Sequence, residues 1–284
     1  MAKQTVSTLI EMKNNGQKIS QVTCYDFSTA SLIEQCGIDT ILVGDSLGMT
    51  MQGYDTTLPV TMDEMIVYGR SVVRASKTAF VIMDMPFMSY QVSVEQAVAN
   101  AGRLIKETGA NAVKLEGGAA VAEQIKAIVD SGIPVCAHIG MTPQSVNVFG
   151  GFKVQGKGEA NAERVLKDAL AVQEAGAFMC VLECVPPKLA ALITDTVDMI
   201  TIGIGAGAGC DGQVLVWQDL MGISMNVKPK FAKHFGEIGE AMMDAFKAYD
   251  AEVKSGEFPA PEHTYSKSDC DDAFLEELRS KYNS

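Results

Sequence analysis

A (β/α)8 barrel (TIM barrel), with an extra N-terminal helix and a C-terminal helical segment, is the fold that this sequence predicts. Three observations predict it. Eight short runs of β-branched and aliphatic residues recur along the 284 residues. Such runs mark strands covered on both faces, as in parallel sheets. Segments of helical period separate most of them. The alternation is continuous, with no internal repeat and no low-complexity stretch, so residues 1–284 read as one barrel domain, with strands from 19 to 217 and C-terminal helices and tail over 229–284. An open doubly wound sheet would show the same alternation, but the residue count and the single unbroken series favour the barrel.

The elements follow in order. Thr5–Asn15 reads as a helix before the first strand, placed to cover the barrel bottom. The strands are expected at Ile19–Tyr25, Thr40–Gly44, Phe80–Met85, Ala112–Leu115, Pro134–Ile139, Phe178–Cys184, Met199–Gly205 and Val214–Trp217. Thr61–Lys77 opens with TMDE, a capping-box pattern in which Thr61 precedes Glu64 by three residues. Val94–Thr108 places Val94, Ala97, Val98, Ala101, Leu104 and Ile105 on one side, and Gly109 follows as a C-cap. Ala119–Ser131 and Ala160–Ala175 behave alike and also end in glycine. Lys230–Lys254 reads as a further long helix, and the tail from Phe258, with Pro, Ser and many acids, as a loosely packed surface segment.

Composition excludes several function classes. The net charge of −12 and the lack of a basic stripe argue against nucleic acid. No apolar run approaches the roughly 20 residues of a membrane span. The start, MAKQTVSTLIEMKNNG, has no signal-peptide pattern, so a cytoplasmic protein is expected. The seven cysteines include no CxxC, and buried reduced thiols fit them better than zinc ligands.

Carboxylates stand at the ends of apolar runs: Asp45 in ILVGDS, Asp84 in FVIMDMP and Glu116 in AVKLEG. In a barrel the active site lies at the carboxyl ends of the strands. Neighbouring strands are ~4.8 Å apart, so acids from strands two, three and four can converge. Unpaired acids in one cleft repel and raise each other's pKa, and a divalent cation removes the conflict. Hard oxygen ligands suit Mg²⁺. Singly, each acid reads better as a strand-end cap or an ion pair, and it is the three in register that favour a site. Lys114, two residues before Glu116, faces the same way. It would either hold a substrate carboxylate as a point charge or pair with an acid. His138 ends strand five in PVCAHIG, and a lone His is more often structural than catalytic. Glu183 ends strand six in FMCVLECV. It is suited to general-base work, or to an ion pair with a neighbouring strand. The run GIGAGAGCDG at Gly203–Gly212 is no P-loop and matches GxGxxA only loosely, after the seventh strand. A loop bringing backbone close to a substrate fits it better.

These residues sit in longer motifs: VTCYDFSTA at Val22–Ala30, LVGDSLGM at Leu42–Met49, MDMPFMSY at Met83–Tyr90 and VKLEGG at Val113–Gly118. AHIGMTPQS at Ala137–Ser145, GGFKVQGK at Gly150–Lys157, LECVP at Leu182–Pro186 and TIGIGAGAGCDGQVLV at Thr201–Val216 follow. In that order, over nearly the whole chain, they resemble the ketopantoate hydroxymethyltransferase family, which begins pantothenate synthesis. The resemblance implies a (β/α)8 barrel assembled as a homodecamer. It implies one Mg²⁺ per subunit held by Asp45, Asp84 and Glu116, a 2-oxo acid bound by Asp45, Ser46, Asp84 and Lys114, and Glu183 as base. His138 would hydrogen-bond the substrate. The implied reaction is hydroxymethyl transfer from 5,10-methylenetetrahydrofolate to 3-methyl-2-oxobutanoate through a Mg²⁺-stabilised enolate, giving 2-dehydropantoate and tetrahydrofolate. The nearest rival is a folate-independent metal-dependent lyase resembling the phosphoenolpyruvate mutase and isocitrate lyase group. A dinucleotide-binding oxidoreductase would rest on the glycine run alone, and a non-catalytic scaffold would leave the acids without a purpose.

Overall fold

The computed structural model describes residues 3–224, 229–265 and 269–282. Eight parallel strands close a barrel in sequence order: β1 (Ile19–Thr23), β2 (Thr40–Val43), β3 (Phe80–Asp84), β4 (Ala112–Glu116), β5 (Val135–Gly140), β6 (Met179–Glu183), β7 (Ile200–Ile204) and β8 (Gly212–Leu215). Each expected strand is found with its ends within two residues of the reading; β4 and β5 each run one residue further, to Glu116 and Gly140. The eighth differs most. It starts at Gly212, pairing with Ile19 of β1 and Ile202 of β7, and Trp217 already opens a short helix. The seams are unequal in length. β5 and β6 pair from Cys136–Met179 to Gly140–Glu183, whereas β7 and β8 pair only at Ile202–Gly212 and Gly203–Gln213.

The strands are buried almost throughout, as parallel strands between a lumen and a helical coat must be. Alternation at period two sends one set of side chains inward. Ile19, Leu42, Phe80, Ile82, Ala112, Cys136, Met179, Val181, Ile200, Ile202 and Val214 form one cluster, and Leu9 of the N-terminal helix joins it. The other set faces the helices in a larger cluster. The barrel is thus filled rather than hollow.

The N-terminal helix, Val6–Asn14, covers the bottom as expected. Leu9 is fully buried, and Lys13 Nζ reaches the carbonyls of Val197 and Met199 at 3.0 and 2.7 Å and Asp211 at 3.1 Å. Truncating Leu9 to Ala leaves a void at the floor. A loss of about 2–5 kcal/mol in unfolding free energy is expected, read from the denaturation midpoint.

The helix Met62–Ala75 starts with the capping box read from TMDE: Glu64 N donates to Thr61 Oγ1 at 3.3 Å and Thr61 N to Glu64 Oε2 at 2.7 Å. Val94–Thr108 ends at Gly109, φ +81°. The expected helix over 119–131 is a 3-10 turn, Gly118–Val121, running into a helix over Ala122–Asp130. Gly117 at φ +135° and Gly118 at φ +57° prevent an earlier α-helical start, and Ala119 N donates instead to Asp168 Oδ1. Residues 237–284 form a separate compact unit. Its long helix spans Ile238–Ser255, not 230–254. Pro229 and Gly236 punctuate the earlier stretch, where residues 225–228 lie outside the described ones. The tail, whose residues 266–268 and 283–284 lie outside the described ones, carries a further helix, Asp272–Tyr282.

The glycine run is closely packed by the protein around it. It joins β7 to β8 with no intervening helix, and its close approaches are to the protein itself. A Cβ at Gly207 would lie 2.7 Å from Pro187 Cβ, one at Gly209 2.8 Å from Ala191 Cβ, and one at Gly212 would run into the Ile19 carbonyl. Cys24, Cys136, Cys180 and Cys210 are buried, Cys184 is half-buried, and Cys36 and Cys270 are exposed, so burial holds for part of the set only. Among the described residues no helix is long and apolar enough to cross a membrane.

Candidate metal and substrate site

The acids converge where strand-end geometry predicts. Asp84 and Glu116 are the last residues of β3 and β4, facing the lumen above Ile82 and Ala112 by alternation. Asp45 lies two residues beyond β2, and its backbone N donates to Asp84 Oδ2 at 3.3 Å. One ligating oxygen from each of Asp45, Asp84 and Glu116 lies within 4.8 Å of the others, and all three are buried. Glu116 belongs to its strand, not to the loop beyond, so its pairing with β5 fixes it.

Register orders the remaining groups. Asp84 pairs with Lys114, Glu116 with His138, and Gly140 with Glu183. Lys114 is 3% exposed and gives its ammonium to both oxygens of Asp84, at 2.7 and 2.9 Å, and to Glu116 Oε1 at 3.4 Å. His138 stands between two carboxylates, with Nδ1 3.3 Å from Glu116 Oε1 and Nε2 3.3 Å from Glu183 Oε2. Neither contact is aligned as a hydrogen bond, so both ring nitrogens are held by charge and proximity. Glu183 is the more open end of this chain, its side chain 14% exposed. Ser46 Oγ lies 2.7 Å from the hydroxyl of the fully buried Tyr25. Burial pushes that phenol up to about 12, so it keeps its proton.

Burial, reinforced by Asp84 and Glu116, pushes Asp45 well above the carboxylate range. Burial also raises Asp84, with Lys114 opposing it. In Glu116 the effect of burial is outweighed by Lys114 and His138, which bring the group down to about 2. Burial alone would discharge Lys114, but Asp84, Glu116 and Asp45 hold it charged well above its usual range. His138 is raised to about 9, because Glu116 and Glu183 overcome burial and Lys114. Four carboxylates, Asp45, Asp84, Glu116 and Glu183, against the ammonium of Lys114 and the imidazolium of His138 leave two surplus negative charges when all are ionised. A divalent cation matches that surplus in charge and in its preference for oxygen. The residues present therefore fit Mg²⁺.

The backbone around Glu183 is tightly constrained. Gly140 has φ +90°, and a Cβ there would run into the Glu183 carbonyl oxygen, which accepts from Met141 N at 2.9 Å. Cys184 adopts φ +50°, rare for a residue with a side chain. Gly140→Ala must displace the end of β6. We expect a loss of about 1–3 kcal/mol in stability from the strained φ alone, with a drop in activity larger than that loss explains, read by denaturation and assay together.

Two further residues at the site are not among the expected acids, bases or ligands. Gln144, in the 3-10 turn Pro143–Ser145 after β5, donates from Nε2 to Asp45 Oδ2 at 2.9 Å and from its backbone N to Glu116 Oε2 at 3.0 Å. Tyr90 Oη lies 2.6 Å from Gln144 Oε1. Both fall inside the motifs MDMPFMSY and AHIGMTPQS, the one feature of the sequence that marks them.

Known proteins agree with this construction. Several solved structures share the fold at low identity. Phosphonopyruvate hydrolase superposes with a TM-score of 0.61 at 11% identity, covering 100% of both chains. Phosphoenolpyruvate phosphomutase from Streptomyces platensis subsp. rosaceus gives 0.61 at 14%, covering 99% of this chain and 100% of that one. Sequence relatives are much closer. The 3-methyl-2-oxobutanoate hydroxymethyltransferase of Clostridium novyi (strain NT) is 60% identical over 276 residues, 97% of this chain and 99% of that protein. The protein of that name from Clostridium kluyveri is 56% identical over 269 residues, 95% and 96% of the two chains. A family model for ketopantoate hydroxymethyltransferase matches residues 3–261. With its motifs, its barrel and its acids all in place, the chain belongs to the ketopantoate hydroxymethyltransferase family.

Proposed function

We propose that the chain transfers a hydroxymethyl group from 5,10-methylenetetrahydrofolate to 3-methyl-2-oxobutanoate, giving 2-dehydropantoate and tetrahydrofolate on the route to pantothenate. The observation that carries this reading is the unbroken line from the acid cluster through His138 to Glu183. High identity to proteins named for this reaction supports it.

Asp45, Asp84 and Glu116 would hold Mg²⁺. When bound, the cation supplies Lewis acidity to the keto oxygen of the 2-oxo acid and so lowers the barrier to losing its C3 proton. Glu183 is the base that takes that proton. It is the carboxylate nearest the open end of the site, and His138 holds it through Nε2. The C3 carbon then forms its bond to the methylene carbon of the folate, both methylene–nitrogen bonds break with their electron pairs left on nitrogen, water supplies the hydroxyl, and the C3 proton and one proton of water end on the two nitrogens, giving 2-dehydropantoate and tetrahydrofolate. Ser46, beside Tyr25, and Lys114 orient the substrate carboxylate, and His138 hydrogen-bonds the substrate. Lys114 also keeps Asp84 in place through its two short contacts. The working particle in this reading is a cytoplasmic homodecamer.

Incubation with 3-methyl-2-oxobutanoate in D₂O, with Mg²⁺ or with EDTA, tests the reading by NMR of the C3 proton. Metal-dependent loss of that signal is expected. A signal that persists with Mg²⁺ and tetrahydrofolate both present would refute it. Formation of 2-dehydropantoate should also require the folate donor, and turnover of the 2-oxo acid without any folate would point to lyase chemistry instead.

A further inference from the structure

We infer that Gln144 is a positioning residue for the cation and the 2-oxo acid, fixing the directions in which Asp45 and Glu116 present their oxygens. The inference rests on the metal-assisted reading proposed above. Gln144 is 5% exposed, and it reaches two of the three clustered carboxylates at once. Its side-chain amide donates to Asp45 Oδ2 at 2.9 Å and to the Met85 carbonyl at 2.9 Å. Its backbone N donates to Glu116 Oε2 at 3.0 Å.

The orientation of the amide is dictated by its neighbours. Met85 O and Asp45 Oδ2 are both acceptors, so only the NH₂ end can face them. The opposite end accepts from Tyr90 Oη at 2.6 Å and from Gln91 Nε2 at 3.3 Å. Tyr90 has one hydroxyl proton and two acceptors in reach. The Glu116 carbonyl is the longer of them at 3.1 Å, so the proton goes to Gln144. Tyr90 Oη in turn accepts from the Glu116 backbone N at 3.2 Å. A closed circuit therefore runs from Glu116 through Tyr90 and Gln144 back to Glu116, with a branch from Gln144 to Asp45.

Both donors and both acceptor sites of the amide are used, so nothing remains for a ligand. Gln144 acts through the acids. The choice of a neutral amide matters as well. It donates to Asp45 without cancelling negative charge that a cation needs, which a lysine or arginine there would do. Partners in this outer position typically change metal affinity by about 10- to 100-fold when removed.

Mn²⁺ serves as the probe, titrated into the full chain and followed by electron paramagnetic resonance, with circular dichroism to establish folding. Wild type should bind saturably. Gln144→Ala should remain folded and bind Mn²⁺ about 10- to 100-fold more weakly, with an altered spectrum of the bound ion. Tyr90→Phe removes the hydroxyl that orients the amide and should weaken Mn²⁺ by about two- to tenfold, the range one hydrogen bond covers. A folded Gln144→Ala with wild-type affinity and spectrum would overturn the inference and leave the metal site standing. Should Gln144→Ala not fold, unchanged Mn²⁺ affinity in Tyr90→Phe overturns it in the same way. No Mn²⁺ binding by wild type would instead remove the metal reading on which the inference rests.

Discussion

Glu183→Gln should bind Mg²⁺ and 3-methyl-2-oxobutanoate yet exchange the C3 proton about 10²- to 10⁴-fold more slowly than wild type, the range over which a positioned general base acts. The substitution keeps the size of the side chain and removes its basicity. Its reach is confined, because Glu183 touches the acid cluster only through His138, with Nε2 3.3 Å from Oε2. The three clustered carboxylates are untouched, so metal titration should follow wild type. Deuterium exchange at the wild-type rate would show that another group takes the proton.

Asp84→Ala should fail on two counts. The first is the metal. Asp84 supplies one of three oxygens that lie within 4.8 Å of each other, and a Mg²⁺ titration that saturates wild type should leave the variant unchanged. The second is stability. Asp84 carries the two shortest contacts of a buried ammonium, and without it Lys114 keeps only Glu116 at 3.4 Å. Breaking a buried pair by removing one partner costs about 3–5 kcal/mol. Asp84→Asn separates the effects, since it keeps the volume and an acceptor for Lys114 while lowering the charge. Its metal affinity should fall with a smaller loss of stability. A wild-type Mg²⁺ titration in Asp84→Ala would rule Asp84 out as a ligand.

Much of this site could be read from the sequence because backbone register, not loop conformation, places it. Asp84, Glu116 and Glu183 each close a strand, and their pairing with Lys114, His138 and Gly140 follows once the strands are in order. Periodicity also put Lys114 beside Glu116. It left open whether that lysine pairs with an acid or holds substrate, and the short contacts to Asp84 supply the pairing. Gln144 and Tyr90 could not be read in this way. They lie in turns after β5 and β3, where neither period two nor period 3.6 says where a side chain points, and neither is an expected acid, base or ligand. The long C-terminal helix was placed too early for a related reason. Residues 230–237 contain helix-forming types, but Gly236, a poor helix former, interrupts them, and the helix starts at Ile238.

The unequal seams of the barrel bear on how the protein breathes. A ring of strands opens most easily where the fewest pairs must part, here between β7 and β8. Native-state amide exchange should therefore be fastest around Gly212–Leu215. The amides of Asp84, Lys114, Glu116 and His138 lie in β3 to β5, across the ring from that seam, and should exchange only with global unfolding. The floor under the proposed chemistry would then stay assembled through the partial openings that the barrel samples most often.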